Sequence, residues 1–209
     1  MKFKKQKATS IFRVYLELSK LNILSLVLVA TFLGYYIGNN GVGELSRLIY
    51  TLLGTSLTAA GSGALNHYVE RNPDKYMERT KNRPLPAGLI SPLHVIIYGV
   101  FMTIGGSLLL VFKINLLTGF LSLLTAFLYV IVYTPLKRIT WLNTSVGSIP
   151  GAMPILGGWT AATGEIGNMA WILFGIMYLW QHPHFYAIAW MCKDDYASAN
   201  FKMLPVIEK

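Results

Sequence analysis

Charged residues are scarce in this sequence, and acidic residues are the scarcest of them. Only 13% of the 209 residues are Asp, Glu, Lys or Arg, against roughly 25% in an ordinary soluble domain. Nine residues are acids, whereas 54% are hydrophobic. This composition excludes a disordered chain and argues against a water-soluble globule. Cysteine is nearly absent too, and the single thiol, Cys192, excludes an intrachain disulfide and a cysteine metal cluster.

The few charges are clustered, which leaves long stretches without any. Six charge-free windows of 22 to 29 residues together hold 150 of the 209 residues. Because about 20 apolar residues cross a bilayer as a helix, each window is long enough for one span. The sequence therefore predicts an all-α fold, a polytopic transmembrane helix bundle in the lipid bilayer. Its six spans are predicted at roughly residues 22–38, 46–66, 92–112, 116–134, 144–162 and 169–190.

The net charge of +9 is distributed unevenly between the two ends of the predicted spans. If the N-terminus is cytoplasmic and the spans alternate, 16 Lys and Arg residues lie on the cytoplasmic side. The other side receives two, Arg47 and Lys113. Cytoplasmic loops of membrane proteins carry such an excess. We therefore expect both ends of this chain, Met1 and Lys209, in the cytoplasm, and we expect no nucleic-acid partner.

The first polar loop opens with oxygen-bearing side chains at helical spacing. Asn66, Glu70 and Asp74 are four residues apart, so on a continuous helix they share one face. Two carboxylates and an amide suit Mg²⁺, which takes its remaining ligands from phosphates. Pro73 disfavours helix at the preceding residue and favours a new turn. The alternative interpretation is a solvated helix end.

Three cations follow within five residues, at Arg79, Lys81 and Arg83. Next to a metal site, they are the side chains that would neutralise the phosphate oxygens of a diphosphate. Lys137 and Arg138, in the next polar loop, are predicted to join the same pocket. The alternative for both groups is a loop whose positive charge only sets the topology.

A third motif, Trp180-Gln-His-Pro-His-Phe185, closes the sixth predicted span. Its imidazoles are candidates for binding a metal or haem, and we single out His184 with Trp180. The acids Asp194 and Asp195 follow shortly after. The alternative is a histidine that only makes hydrogen bonds within the bundle.

Taken in order, these motifs resemble the UbiA-type intramembrane prenyltransferases, and within them the haem-farnesylating branch. The resemblance covers nearly the whole chain, from about residue 15 to residue 206. It implies one prenyltransferase domain over residues 1–209, with six spans present of roughly nine, each of bilayer length. The stretches that carry it are Asn66–Asp74, Arg83-Pro-Leu-Pro86, Tyr133-Thr-Pro-Leu-Lys-Arg138, Gly151–Trp159 and Trp180–Phe185 leading to Asp195.

The activity that this resemblance implies is Mg²⁺-dependent transfer of farnesyl from farnesyl diphosphate to a vinyl group of haem b, giving haem O. It also implies a place in the bacterial inner membrane, and haem A synthase or oxidase assembly proteins as partners. The implied site residues fall into four groups: catalytic Asn66, Glu70 and Asp74; metal-binding Glu70, Asp74 and Asp195; diphosphate-binding Arg79, Lys81, Arg83, Lys137 and Arg138; and haem-binding His184 and Trp180.

The sequence departs from the family pattern at several places. Lys20-Leu-Asn22 stands where Lys-Pro-Arg is usual, Pro73 stands inside the first motif, and Asn200 stands where glycine is usual. As in the haem-farnesylating branch, Ala199 stands where the wider family has an acid, so the second metal site has fewer ligands. Three other functions stay open at this stage. They are prenyl transfer to an aromatic or quinone-precursor acceptor, transport, for which no span carries a central acid or base, and a truncated bundle without activity.

Overall fold

The computed structural model describes residues 10–207, and within that range it contains helices and turns but no strand. The predicted all-α fold is confirmed. The predicted cytoplasmic termini, Met1 and Lys209, lie outside the described residues. The helices are α1 Ile11–Leu18, α2 Leu21–Gly38, α3 Leu45–Glu70, α4 Pro92–Lys113, α5 Leu116–Phe127, α6 Thr134–Leu136, α7 Asn143–Thr163, α8 Asn168–Met191, α9 Lys193–Ser198 and α10 Leu204–Ile207.

Four helices are long and apolar enough to cross a membrane: α2, α3, α4 and the segment Leu116–Leu136 that α5 begins. Helices α7 and α8 coincide with the last two predicted spans and have 21 and 24 residues without a charge. Glycine, serine, threonine and proline in α7, and glutamine, histidine and aromatic residues in α8, lower their hydropathy. Six long helices thus stand where six spans were predicted, and the membrane crossing of α7 and α8 stays a prediction.

Local signals mark where several helices begin and end. Ser91 caps α4 by accepting a hydrogen bond from the His94 amide, and Pro92 occupies the first helical position, where no amide hydrogen is needed. Asn115 caps α5 in the same way, with its Oδ1 2.7 Å from the Thr118 amide nitrogen. Helix α7 ends at Gly164, whose φ of +82° lies in the left-handed region that glycine adopts without strain.

Helices α2, α3, α4, α5 and α7 pack against one another in sequence around a ring, which contact between α7 and α2 closes, and α8 packs against α7. Glycines let two of these helices meet backbone to backbone. A methyl group at Gly34 would overlap the Ile155 carbonyl, and one at Gly158 would overlap the Thr31 carbonyl. Close approach of this kind is how helices associate in lipid, where burial of apolar surface provides no net drive.

Proline acts differently in α7 and after α5. Helix α7 runs through Pro150 and Pro154 without an interruption. After α5 the chain instead widens into a π-helical segment, Leu128–Tyr133, just before Pro135. Pro135 has no amide hydrogen, and its ring would clash with a carbonyl of the preceding α-helical turn. The Tyr129 carbonyl accepts both the Thr134 backbone amide and, over 2.7 Å, the Thr134 hydroxyl.

Candidate active site

The predicted metal motif lies where α3 ends and the first polar loop begins. Helix α3 ends at Glu70, and a 3₁₀ turn over Pro73–Tyr76 follows. Asn66 and Glu70 therefore share a helix face, whereas Asp74 comes from the turn, which corrects the picture of one continuous helix. All three side chains are nevertheless buried, with exposed fractions of 0%, 6% and 0%.

Two cations neutralise the two buried carboxylates. Lys137 Nζ lies 2.6 Å from Glu70 Oε1, and Arg83 Nη1 lies 2.9 Å from both oxygens of Asp74. Arg83 also reaches within 3.9 Å of Glu70 Oε2. We call these four residues the charged cluster. Because a buried charge without a partner is costly, the pairing explains how four ionisable groups coexist at the edge of an apolar bundle.

Asn66 is held by residues that the sequence motifs did not identify. Its Oδ1 accepts a hydrogen bond from Lys20 Nζ, and its Nδ2 donates to Thr134 Oγ1 over 3.0 Å. Lys20 Nζ also lies 3.4 Å from the Tyr129 hydroxyl. Lys20 has a φ of +50°, which is uncommon for a residue other than glycine and is often found at functional sites. Its signals in the sequence were its place just before an apolar window and its match to the lysine of the Lys-Pro-Arg pattern.

The pKa values of the groups at this site follow from burial and from these pairs. Burial raises the pKa of Asp74 above its ordinary value, against the opposing effect of the Arg83 guanidinium. Burial lowers the pKa of Lys20 to about 7, and Glu70 acts in the opposite direction. For Lys137, burial also disfavours the cation, but the Glu70 carboxylate, the hydrogen bond that it accepts from Lys137, and the Tyr133 and Tyr129 hydroxyls together outweigh burial and raise the pKa.

Three predicted phosphate-binding residues lie outside the charged cluster. Lys81 pairs with Glu78 on the exposed surface of the loop. The Arg79 guanidinium reaches the Tyr196 hydroxyl at 3.4 Å. Arg138 lines a separate cleft. Of the five cations predicted to bind diphosphate, the structure therefore brings Arg83 and Lys137 to the carboxylates.

Asp195 ties α9 to the loop after α3 instead of approaching Glu70 and Asp74. Its carboxylate accepts hydrogen bonds from the backbone amides of Glu78, over 2.9 Å, and Arg79, over 3.4 Å. Within residues 10–207, no three His, Cys, Asp or Glu side chains converge as a metal-binding group. The prediction that Asp195 is a third metal ligand stays a prediction, and in this structure the side chain fastens the loops.

The donor set at the end of α3 suits Mg²⁺. Glu70, Asp74 and the Asn66 amide provide hard oxygen atoms, buried and close together in the chain. Mg²⁺ in phosphate-processing sites is typically bound by one or two carboxylates and completes its coordination with water and substrate phosphates. The two carboxylates are therefore enough for a metal that is shared with a diphosphate.

The predicted haem-binding residues lie on the exposed side of α8. The rings of Trp180 and His184 stack with their centroids 4.9 Å apart. Their neighbours face α7 instead. Gln181 is buried with Nε2 3.3 Å from the Ser148 carbonyl, and His182 Nε2 lies 3.2 Å from Ser145 Oγ. The structure therefore does not bring His184 and Trp180 to the charged cluster, and their role stays a prediction.

Comparisons with solved structures identify the fold. Digeranylgeranylglyceryl phosphate synthase superposes with a TM-score of 0.79 over 95% of this chain and 70% of its own, at 17% sequence identity. A UbiA homologue from Archaeoglobus fulgidus, bound to DMAPP and Mg²⁺, superposes with a TM-score of 0.68 over 90% of this chain and 69% of its own, at 19% identity. At such low identity these likenesses establish the fold alone.

Comparisons of sequence are more specific. Protoheme IX farnesyltransferase from Solibacter usitatus is 44% identical over 205 residues, which are 94% of this chain and 70% of that protein. The enzyme of the same name from Salinibacter ruber is 48% identical over 194 residues, 93% of this chain and 69% of its own. The family model described as "UbiA prenyltransferase family" matches residues 27–209. The resemblance inferred from the motifs is confirmed, and the chain belongs to the UbiA prenyltransferase family of enzymes.

Proposed function

We propose that this protein transfers the farnesyl group of farnesyl diphosphate to a vinyl group of haem b and so makes haem O. The observation that carries the proposal is the charged cluster beside Asn66, buried at the polar end of an apolar helix bundle. The relatives named protoheme IX farnesyltransferase, 44% and 48% identical to this chain, support the choice of substrates.

Glu70, Asp74 and Asn66 are the residues that would hold Mg²⁺. When bound, the metal would supply positive charge to the diphosphate oxygens and make the diphosphate a better leaving group. The Mg²⁺ bound by the Archaeoglobus fulgidus homologue supports a metal in this fold. Asp195 stays the predicted third carboxylate.

Arg83 and Lys137 exchange partners when the diphosphate binds. In this structure both cations pair with carboxylates, and both have donors that fit phosphate oxygens. In the reaction the bond between the farnesyl C1 and oxygen breaks, and the diphosphate leaves with the electron pair. C1 then bonds to the terminal vinyl carbon, water adds to the inner vinyl carbon, and a proton is released. The two cations stabilise the charge of the leaving group.

The allylic cation needs protection from early capture by water. Apolar helices exclude water from the transfer step. Tyr133 is buried beside the cluster, with its ring centroid 4.7 Å from Lys137 Nζ. When Lys137 turns to the diphosphate, this aromatic face is left to stabilise the allylic cation, and we assign Tyr133 this role.

We place haem b against the stacked rings of Trp180 and His184. Both side chains are exposed within the described residues, and their rings offer a flat surface to a porphyrin. The test is the absorption spectrum of protein purified from cells that make haem b. We expect a bound-haem spectrum that His184→Ala changes, whereas an unchanged spectrum would remove His184 from the haem site.

The cellular setting follows from the same assignment. We propose that the protein lies in the bacterial inner membrane with both ends of this chain in the cytoplasm. Its product would pass to haem A synthase and to the assembly of haem–copper oxidases. Apolar helices of spanning length support the membrane location.

The transfer reaction itself can be tested in membranes from a bacterial host that lacks its own enzyme. Labelled farnesyl diphosphate, haem b and Mg²⁺ are added, and the haems are separated by chromatography and identified by mass. We expect labelled haem O that depends on both the metal and the expressed chain. If the label appears in an added aromatic acid and none appears in haem, the acceptor is the aromatic acid and not haem. Absence of any labelled product would refute transferase activity of this chain.

A further inference from the structure

A polar cleft of about 480 Å³ opens at the end of the bundle that carries the loops. Three separate segments form its walls: the 3₁₀ turn after α3, the corner after α6, and the end of α9. The polar residues that line it are Asn72, Lys75, Tyr76, Arg138, Ser198 and Asn200. The lining contains two cations and several neutral hydrogen-bonding groups, but no Asp or Glu.

The cations of the cleft differ from those of the nearby loops. Arg83, Lys137 and Lys81 each pair with a carboxylate. Lys75 and Arg138 make no salt bridge with any residue between 10 and 207, and both are exposed. Two positive charges on one cleft, with no Asp or Glu among the residues that line it, create a local positive potential that attracts anions.

Asn200 adds an amide to this wall in an unusual conformation. Its φ is +56°, in the left-handed region that asparagine tolerates better than most residues other than glycine. Glycine would meet the backbone requirement without strain, as it does in the usual family pattern. Asparagine meets it and also lines the cleft with a side chain that can donate hydrogen bonds.

The cleft is distinct from the charged cluster, although the same loops build both. Asp74 and Lys137 belong to the cluster, and the residues that follow them, Lys75 and Arg138, line the cleft. Asp74 is buried, whereas Lys75 and Arg138 are exposed. The Ser198 hydroxyl, 2.9 Å from the Tyr76 carbonyl, joins two of the three walls.

We propose that this cleft is a second anion site, which binds a phosphate group between Lys75, Arg138 and the Asn200 amide. Phosphate offers several acceptor oxygens to cationic and amide donors that come from different directions. The phosphate belongs either to free inorganic diphosphate or to the headgroup of an anionic phospholipid. Its binding joins the three segments that form the cleft, two of which also carry Asp74 and Lys137 of the charged cluster, and it requires neither haem nor farnesyl transfer.

The first experiment titrates inorganic diphosphate into the purified chain by calorimetry, with EDTA present so that no metal-dependent site contributes. The variant Lys75→Gln/Arg138→Gln is expected to bind about tenfold more weakly than the wild type, because two charged donors are lost. The control Arg13→Gln/Arg71→Gln removes the same charge from the same end of the bundle outside the cleft, and it should bind like the wild type.

Asn200→Gly provides a variant that is safe for folding, because glycine relieves the left-handed backbone while removing the amide. We expect it to weaken binding about threefold, as the loss of one neutral hydrogen bond does. The second experiment identifies a lipid source by native mass spectrometry. Phosphatidylglycerol, but not phosphatidylcholine, should stay bound to the wild type and to the control and be lost from the cleft variant. If the cleft variant and the control behave alike in both experiments, the cleft is not a phosphate site.

Discussion

At the scale of single residues, the site consists of buried ion pairs in which the cations change partners when diphosphate binds. Glu70 and Asp74 are each satisfied by a cation of the chain, so an incoming diphosphate must offer Arg83 and Lys137 an equally good partner. Removal of one partner from a buried pair leaves the other uncompensated, which is costly. The charged cluster is therefore stable without substrate and is complementary to a metal and a diphosphate that arrive together.

The two carboxylates should be essential for transfer. Asp74→Asn and Glu70→Gln keep the shape of the side chain but remove the charge that would hold the metal. We expect each to lower the transfer rate about 100-fold or more, measured as labelled product in membranes with matched protein levels. Glu78→Gln is the control, because Glu78 is exposed and pairs only with Lys81. An Asp74→Asn variant with most of its rate would show that the motif does not bind the metal.

Thr134 should matter because it orients Asn66. Its hydroxyl accepts from the Asn66 amide and donates to the Tyr129 carbonyl. Thr134→Val leaves a buried amide without its partner, so we expect a loss of about 1–2 kcal/mol in the free energy of unfolding and a transfer rate about tenfold lower. Thermal unfolding in detergent and the transfer assay measure these effects.

The matched control for that substitution lies in the same segment of the chain. The Thr125 hydroxyl donates only to the Leu121 carbonyl of its own helix. Thr125→Val should change the free energy of unfolding by less than about 0.5 kcal/mol and leave the rate near the wild-type value. Equal effects of the two substitutions would remove Thr134 from the support of the site.

At the scale of helices and loops, contact between backbones holds α2 against α7. Gly34 faces the Ile155 carbonyl, and Gly158 faces the Thr31 carbonyl, with no room for a β-carbon at either glycine. This crossing matters to the site because α2 begins directly after Lys20, which bonds Asn66. Displacement of α2 would therefore also displace the cation that orients Asn66.

Alanine at two glycines should have opposite effects on stability. Gly34→Ala forces a methyl group into the α2–α7 contact, and we expect a loss of about 1–3 kcal/mol. A methyl group at Gly157 meets open space, so Gly157→Ala should stabilise α7 by about 0.5–1 kcal/mol through helix propensity. Thermal unfolding in detergent measures both. A Gly34→Ala protein as stable as the wild type would contradict the close crossing.

Asp195, in α9, should act on the site by positioning the loop that follows α3. Asp195 accepts the amides of Glu78 and Arg79, and so holds the loop that supplies Arg83. We measure the Mg²⁺ concentration that gives half of the maximal rate. Asp195→Asn should change it by less than about threefold, because the substitution only weakens hydrogen bonds to the loop amides. Asp74→Asn should raise that concentration more than about tenfold. A shift as large for Asp195→Asn would identify Asp195 as a direct metal ligand.

At the scale of the whole molecule, the distribution of charge predicts how the bundle sits in the membrane. Six long helices alternate in direction if each crosses the bilayer, and the polar loops then lie on one side with most of the Lys and Arg residues. Four of the helices meet the requirements for a span by length and hydropathy. Whether α7 and α8 cross the membrane therefore decides between six and four crossings.

Reporter fusions can measure this topology. Fusions after Asn40 and Gly164 should report the outer side, and fusions after Lys81 and Lys193 the cytoplasmic side. The fusion after Gly164 is the most informative, because with only four crossings that residue would stay in the cytoplasm. A cytoplasmic signal there would reject the six-span topology, and any exchange of the other three would reject the orientation.

The sequence alone was sufficient for the features that depend on local composition. Charge-free windows predict helices in lipid because the backbone must satisfy its own hydrogen bonds there, and the all-α fold agrees. The metal motif and Arg83 lie within 18 residues of the chain, so their proximity was predictable from spacing. The family could be inferred because its motifs occur in order along the chain, and the comparisons confirm it.

Only the tertiary structure decided which distant side chains meet. Lys20 and Asn66 are 46 residues apart, and Asn66 and Thr134 are 68 apart. Their contacts depend on helix packing and on the π-helical segment before Pro135, which no periodicity in the sequence predicts. For the same reason, nothing in the sequence indicated that the Asp195 carboxylate accepts hydrogen bonds from loop amides 116 and 117 residues away. Composition selects the elements, but contact between their surfaces determines which groups of the site come together.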